Sequence, residues 1–215
     1  MIIKKREYPN LKTYTTEFCG RPLTFETGKL AELANAAVLV RYGETTVLVC
    51  ATASDRPRDG IDYFPLNVDF EEKLYSVGRI PGAFLRREGR PSERGTLASR
   101  LIDRPMRPLF PSDLRNDVVI TCNIISVDHD CSPEITAMLG ASAAVAISDI
   151  PWAGPLGGVV VGYDGNDFLF NPTSEERETS QMSVTVAATM EKVVMIEAAA
   201  KEISEDIMFD GIMKA

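Results

Sequence analysis

One arginine-rich segment, residues 79–107, carries the residue types best suited to chemistry. It contains eight arginines, three acids and no lysine. Within it, Phe84 and Leu85 precede Arg86 and Arg87 in a stretch rich in glycine and proline, which predicts a loop. Guanidinium groups bind phosphate through paired hydrogen bonds, and aromatic rings stack on nucleic-acid bases. The segment therefore predicts a grip on single-stranded nucleic acid that tolerates many sequences.

The residues of this segment favour different roles. The predicted nucleic-acid contacts are Phe84, Leu85, Arg86, Arg87 and Arg90. Secondary candidates for contacts to nucleic acid or to another subunit are Arg79, Arg94, Arg104 and Arg107. Arg100 and Arg104 flank Asp103 on a predicted helix, and this spacing favours ion pairing or solvation on a helix face. The alternative for the whole segment is that its arginines pair with the 31 acids of the chain.

Other polar clusters favour structural roles. Residues 128–131 (DHDC) match no standard zinc spacing, and four adjacent ligands cannot easily surround one ion, so a strand-to-helix loop is preferred. At the helix start that follows, Pro133 removes an N–H donor and Glu134 adds a negative charge, which disfavours a bound phosphate. The glycine-rich residues 154–158 lack the lysine and helix of a P-loop. No catalytic residue and no metal ligand is predicted in this chain.

The net charge of −8 taken alone argues against a nucleic-acid partner. The charge is unevenly distributed, however. Residues 79–107 carry a local charge of +5, which leaves −13 on the rest of the chain. A basic segment on an acidic body is therefore the more informative description.

Composition also bounds the class of protein. The four cysteines are widely spaced, and Cys50 and Cys122 lie in strand-like runs, which favours buried free thiols and a reducing cytoplasm. The single histidine, His129, excludes zinc clusters with several histidine ligands. No apolar run reaches the roughly 18 residues of a membrane span, and the first ten residues lack a signal-peptide core. A cytoplasmic location without a membrane partner is predicted.

Hydrophobic patterning predicts a mixed order of strands and helices. Predicted strands cover 22–27, 36–42, 45–53, 66–75 and 117–127, followed by hairpins over 156–170 and 182–198. Gly43-Glu44 joins the second and third strands as a hairpin turn. A helix capped by Ser92 is expected over 93–104, with Leu97, Ala98, Leu101 and Ile102 as its apolar stripe and Pro105 and Pro108 as its stop. Further helices are expected from Ser132 and from near Glu202.

This order predicts an α/β or α+β fold in which mixed sheets pack with helices. No linker-like or low-complexity stretch divides the chain, so residues 1–215 are expected to form a single domain. Residues 212–215 (IMKA) lack a cap or stop signal, which suggests a piece of a longer chain.

Three long segments resemble a known family: residues 34–54, 62–111 and 131–162. They are similar to the first RNase PH-type core of bacterial polynucleotide phosphorylases, and the block from Arg86 to Pro111 (RREGRP…RLIDRPMRPLFP) is the most specific part. The resemblance implies an RNase PH-like fold, and it implies that residues 202–215 lead towards a helical linker.

The resemblance also implies a function for the longer parent enzyme. Such an enzyme degrades RNA from the 3′ end with inorganic phosphate and releases nucleoside diphosphates. Its second core carries the active site with Mg²⁺, while the first lines a ring of three subunits and supplies an aromatic-arginine loop. The implied partners are single-stranded RNA, the second core, a homotrimer and degradosome-type proteins. No cofactor is implied for this chain itself.

The chain departs from the pattern of the active cores in three places. The histidine of R-R-E-x-x-H is replaced by Pro91, and the S-N-G-S-S-S stretch before the phosphate-binding helix is replaced by residues 130–134 (DCSPE). The aspartate-rich D-H-L-G-D-M-D pattern is replaced around residues 181–183 (QMS), with Arg177 upstream. Leu85 also stands where the family often has a second phenylalanine. The resemblance therefore implies an RNA-guiding, ring-forming core without its own catalysis.

Two alternatives remain beside that hypothesis. The chain could be a stand-alone RNase PH-like phosphorolase, which the missing carboxylates disfavour. It could also be a purely structural oligomerisation domain whose arginines are used in subunit interfaces, where arginine is enriched.

Overall fold

The computed structural model describes residues 8–82 and 84–215. Residues 1–7 and Ala83 lie outside the described residues. The strands are β1 (Lys12–Phe18), β2 (Arg21–Thr27), β3 (Ala36–Tyr42), β4 (Thr45–Pro57), β5 (Leu66–Glu71), β6 (Asn116–Ser126), β7 (Gly157–Tyr163), β8 (Phe168–Phe170), β9 (Met182–Ala188) and β10 (Val193–Ala200). The α-helices are α1 (Glu93–Met106), α2 (Pro133–Ile147), α3 (Ser174–Thr179) and α4 (Glu205–Lys214). Short 3-10 helices cover Leu74–Val77 and Arg107–Leu109.

The strands form two sheets. The six-stranded sheet has the order β1-β2-β3-β4-β6-β5. Strand β5 runs parallel to β6, and all other neighbouring strands in this sheet pair antiparallel. The four-stranded sheet has the order β10-β9-β7-β8 and is antiparallel throughout. This architecture confirms the predicted mixed sheets packed with helices. The predicted hairpins at Gly43-Glu44, over 156–170 and over 182–198 are also confirmed.

Helix α2 packs against β3, β4 and β6 of the larger sheet and against β7 of the smaller one. Its centre is built from small residues, and Gly140, Ala141 and Ala144 are all buried. A β-carbon built at Gly140 would lie 2.7 Å from methyl carbons of both Val40 and Val49. The small-residue pattern of this helix therefore sets how closely it approaches the sheet.

Helix α1 begins as predicted, because the Ser92 hydroxyl accepts a hydrogen bond from the Gly95 N–H at 2.9 Å. Ala98 and Ile102 are buried, but Leu97 is 60% exposed, so its predicted place in the core is wrong. Pro105 does not stop the helix either. It is buried inside the last turn, where its missing N–H costs one hydrogen bond, and the chain then continues into the 3-10 helix Arg107–Leu109.

Three further differences from the predicted elements have local causes. Strand β5 ends at Glu71 rather than at residue 75, and the 3-10 helix Leu74–Val77 follows it. Strand β1 is exposed at six of its seven positions, so it carries no hydrophobic alternation by which to predict it. Helix α3 has only six residues and depends on a capping box between Thr173 and Glu176.

All four cysteines are free thiols, as predicted. Cys122 and Cys131 are buried, whereas Cys19 and Cys50 are half-buried. Burial raises the pKa of the Cys131 thiol to about 11, with the nearby Asp128 carboxylate acting in the same direction. These thiols are therefore protonated at neutral pH and pack as small apolar groups.

Candidate nucleic-acid interface and the adjoining cavity

The predicted RNA contacts lie on an exposed loop, residues 79–82 and 84–91, which we call the arginine loop. Phe84 is 98% exposed and Leu85 is 75% exposed. Arg86 adopts a left-handed backbone conformation with φ of +51°, and its guanidinium donates one long hydrogen bond of 3.5 Å to the Pro81 carbonyl. Arg87 is exposed without a hydrogen bond or ion pair to any residue that the structure describes. The loop therefore presents an aromatic ring beside guanidinium donors that face solvent.

Two more arginines of this loop, Arg79 and Arg90, are also exposed. Neither forms a side-chain hydrogen bond or ion pair within residues 8–82 and 84–215. The alternative that the arginines of this segment pair with the chain's own acids therefore does not apply to Arg79, Arg86, Arg87 and Arg90 within the described residues.

The arginines on and after helix α1 do have internal partners. Arg94 pairs with Glu134 at 2.8 Å, and Arg104 pairs with Glu197 at 3.4 Å, with both side chains of the latter pair exposed. Arg100 is exposed and has no partner among the described residues. Arg94 and Arg104 thus differ from the exposed arginines of the arginine loop, because each is paired with an acid of the chain.

Arg107 braces the framework instead of facing solvent freely. It donates to the Asp103 carboxylate at 2.9 Å and to the backbone carbonyls of Phe64 and Leu66 at 3.0 and 3.1 Å. Four of its five N–H donors are used in this way. Asp103 was expected between Arg100 and Arg104, but it bonds Arg107 one helical turn away.

A cavity of about 560 Å³ opens beside the 3-10 helix Leu74–Val77, which precedes the arginine loop. It lies between the 3-10 helix Leu74–Val77, the start of α2 and the β6–α2 connection. Its charged lining contains the acids Glu72, Asp128, Asp130 and Glu134 and the bases Lys73, Arg94 and Arg177, with His129 among them. Acids and bases are thus close to balanced around this space.

At the N-terminus of α2 in this cavity, Ser132, Glu134 and Arg94 bind one another. The Ser132 hydroxyl accepts from the Ile135 N–H at 3.3 Å and donates to the Glu134 carboxylate at 2.7 Å. Arg94 donates to the same carboxylate from two nitrogens, at 2.8 and 2.9 Å. The Ser132 hydroxyl and the Arg94 guanidinium, which an inorganic phosphate would need here, therefore already bind the Glu134 carboxylate.

The Asp128–Cys131 stretch forms a tight turn between β6 and α2, which confirms the predicted strand-to-helix loop. Asp128 accepts a hydrogen bond from the Asp130 N–H at 3.0 Å. Asp130 in turn accepts from the hydroxyl and the N–H of Ser174 at 2.6 and 2.8 Å. Within the described ranges, no group of three or more His, Cys, Asp and Glu residues is arranged to hold a metal ion.

The two hydrogen bonds from Ser174, hydroxyl first, lower the pKa of Asp130 below its ordinary value. A lowered folded-state pKa stabilises the fold above the unfolded pKa of about 3.9, and this contribution is lost as the pH falls through the folded pKa. Asp130→Asn mimics the protonated acid. We therefore expect it to melt below the wild type at neutral pH, with the difference closing as the pH falls below the unfolded pKa. Thermal unfolding followed by circular dichroism over this pH range measures the gap.

Asp113→Asn is the matched control for this experiment. Asp113 is exposed and has no side-chain hydrogen bond or ion pair in the part of the chain that the structure describes. A melting difference for Asp130→Asn that stays constant from neutral to acid pH would contradict the role of its ionised form.

Sequence reasoning found the arginine loop but missed the pairing of Arg94 with Glu134. These two residues are 40 positions apart and belong to different helices. The sequence offered one signal, the negative charge of Glu134 at a helix start, but nothing identified its partner.

Comparisons with known proteins place these features in a family. Residues 20–151 match the model of the 3′ exoribonuclease family, domain 1, and residues 154–215 match that of domain 2. The polyribonucleotide nucleotidyltransferase of Ruminiclostridium cellulolyticum is 58% identical over 94% of this chain, and that of Caldicellulosiruptor bescii is 57% identical over 95%. The chain spans 29% of the length of each of these relatives.

A solved structure, rice (Oryza sativa) Rrp46, matches with a TM-score of 0.69 at 13% identity, covering 97% of this chain and 90% of that one. This likeness confirms the predicted RNase PH-like fold. None of the helices in the described ranges has both the length and the apolar character needed to cross a membrane. The boundary between the two family matches falls between the six-stranded and the four-stranded sheet. The chain therefore belongs to the 3′ exoribonuclease family, with domain 1 around the six-stranded sheet and domain 2 around the four-stranded one.

Proposed function

We propose that this chain is the first, non-catalytic RNase PH-type core of a polynucleotide phosphorylase, where it guides single-stranded RNA. The observation that carries the proposal is the arginine loop. Its ring at Phe84 is almost fully exposed, and Arg79, Arg87 and Arg90 have no partners among the described residues. Neutralising phosphates and stacking bases are the two contacts that hold a single strand without reading its sequence.

The charge distribution supports the same role. The rest of the chain carries −13, so a strand of RNA is repelled from most of the surface and attracted to residues 79–107. Leu85 is exposed beside Phe84, but it offers apolar contact without a π-face for stacking. We therefore propose one stacking residue, Phe84, with Arg79, Arg86, Arg87 and Arg90 as phosphate contacts.

The helix-associated arginines receive other roles in this proposal. Arg104 serves as a secondary contact to RNA or to another subunit when its weak exposed pair with Glu197 opens. Arg94 stays paired with Glu134, whose side chain is only 17% exposed, and serves as a secondary contact through the N–H donors that this pair leaves free. Arg107 is structural, because its donors are used by Asp103 and by two backbone carbonyls.

The absence of phosphorolysis from this chain is part of the proposal. Phosphorolysis needs a site that accepts inorganic phosphate close to the 3′ end of the RNA. In the cavity beside α2, the Glu134 carboxylate holds both the Ser132 hydroxyl and the Arg94 guanidinium, and a second anion there would be repelled. Pro91 and residues 181–183 supply none of the histidine and aspartate groups expected of an active core.

We propose the remaining features at the level of the longer protein. The relatives named polyribonucleotide nucleotidyltransferase are more than three times the length of this chain. In such a protein, residues 1–215 would form one core, and residues 202–215 would lead towards a helical linker. A second core would supply the site for Mg²⁺ and phosphate, and three subunits would close a ring that also contacts degradosome-type proteins. The four free thiols fit a reducing cytoplasm.

The experiment combines RNA titration with an activity assay on the purified chain. We expect single-stranded RNA to bind with an affinity that falls steeply as salt rises, and no nucleoside diphosphate to appear with RNA, phosphate and Mg²⁺. Release of nucleoside diphosphates would instead support a stand-alone phosphorolase. An oligomer that does not bind RNA would support a purely structural domain. A duplex RNA of equal length is the matched control, since its bases are not free to stack on Phe84.

A further inference from the structure

The Glu88 carboxylate connects the arginine loop to the 3-10 helix Leu74–Val77 that precedes it. Oε1 of Glu88 accepts a hydrogen bond from the backbone N–H of Leu74 at 3.2 Å, although the two residues are 14 positions apart. Leu74 begins the 3-10 helix Leu74–Val77, and the first N–H groups of a helix have no partner within it. Glu88 therefore supplies a partner that the helix itself lacks.

The other end of the 3-10 helix is also closed. Gly78 adopts the left-handed conformation with φ of +70°, and its N–H bonds the Tyr75 carbonyl at 3.0 Å. The next N–H, that of Arg79, bonds the Leu74 carbonyl at 2.9 Å. The helix is thus a compact platform, and the arginine loop leaves it at Arg79 and returns to it at Glu88.

A second carboxylate closes the base of the same segment. The hydroxyl of Ser92 donates to the carboxylate of Glu72, which lies before the 3-10 helix. The same Ser92 oxygen accepts from the Gly95 N–H and so begins helix α1. The Glu72–Ser92 contact fixes where the segment starts and ends, whereas the Glu88–Leu74 contact acts inside it, next to Arg86 and Arg87.

We propose that Glu88 is a positioning residue that holds Arg86 and Arg87 in the conformation in which they meet RNA. This inference rests on the proposed function of the loop. A carboxylate beside two phosphate-binding arginines weakens the local positive field, so by charge alone it opposes RNA binding. By fixing the backbone of the loop before RNA arrives, it reduces the conformational freedom that binding would otherwise remove. The two effects have opposite signs, which makes them separable.

Glu88→Ala separates them in a titration with single-stranded RNA. If Glu88 acted by charge alone, its removal would tighten binding, by up to about fivefold near 0.1 M salt for one phosphate contact of slope about 0.7. The positioning role predicts the reverse, a weakening of about threefold or more. Glu88→Gln removes the charge but keeps an oxygen that accepts the Leu74 N–H, so it should bind at least as tightly as the wild type.

Glu93 offers a matched control within the same segment. It is exposed on the first turn of α1 and makes no side-chain hydrogen bond or ion pair in the described part of the chain. Glu93→Ala therefore removes the same charge without removing a contact to the loop, and it should bind RNA as tightly as the wild type or more tightly.

Limited trypsin digestion without RNA reports on the loop directly. Cleavage after Arg86 and Arg87, read by mass spectrometry, should be several-fold faster in Glu88→Ala than in Glu88→Gln, since both variants lack the acid next to the cleaved bonds, and close to wild type in Glu93→Ala. Unchanged cleavage in Glu88→Ala, or RNA binding as tight as wild type in that variant, overturns the inference and leaves the proposed function in place. Wild-type protein that does not bind RNA overturns the proposed function and the inference together.

Discussion

Replacing Arg86 and Arg87 together with alanine is expected to weaken the binding of single-stranded RNA by about 25-fold near 0.1 M salt. The number follows from counterion release, in which each phosphate contact on a single strand contributes a slope of about 0.7 in the logarithm of affinity against the logarithm of salt. Two lost contacts lower that slope by about 1.4. At 0.1 M salt the affinity then falls by a factor of ten raised to about 1.4, which is about 25-fold. Fluorescence anisotropy with a labelled oligonucleotide at several salt concentrations measures both quantities.

The control for this variant removes the same charge from residues outside the arginine loop. Arg41 on β3 and Arg100 on α1 are exposed and have no partners among the residues that the structure describes. Arg41→Ala with Arg100→Ala should change affinity by less than about twofold near 0.15 M salt, because exposed charges that make no contact with the RNA are largely screened at this ionic strength. An equal loss in both double variants would contradict a specific role for the arginine loop.

The open face of this site could be predicted from sequence because its determinants are local. A run containing three glycines and two prolines (Pro81 and Pro91) cannot form a helix or an inner strand, so its arginines and Phe84 had to be near the surface. The long-range contacts could not be predicted in the same way. Nothing within a few residues of Glu88 or Glu134 indicates that their partners are Leu74 and Arg94, because the tertiary fold alone brings them together.

The elements of the fold can likewise be separated into those that local sequence predicts and those that depend on long-range contacts. Hairpins such as the one at Gly43-Glu44 join strands that are adjacent in sequence, so turn chemistry and alternation were sufficient. The parallel pairing of β5 with β6 needs a connection through α1, and strand β1 lacks a buried face. The exposure of Leu97 was missed because α1 buries a narrower stripe than its apolar residues suggest.

The second large effect is expected in the core, at Gly140. Gly140→Leu would place four carbons where a single β-carbon already lies 2.7 Å from methyl groups of Val40 and Val49. Both valines are fully buried or nearly so on β3 and β4, and β-branched side chains have little rotameric freedom with which to move aside. Helix α2 must then separate from the sheet, and we expect the free energy of unfolding to fall by about 3 kcal/mol or more. Urea unfolding with a fluorescence or circular-dichroism signal measures the change.

Ala146→Leu provides the comparison on the exposed side of the same helix, where a leucine should change the free energy of unfolding by less than about 0.5 kcal/mol. A double-mutant cycle then tests the contact itself. Gly140→Ala gains about 1 kcal/mol of helix propensity but loses it to the clash with the valines. In a Val40→Ala background part of the clash is gone, so the same substitution should be more favourable there by about 0.5 kcal/mol or more. Additive effects would mean that helix and sheet are not in contact at Gly140, and the packing that joins α2 to the six-stranded sheet would need another basis.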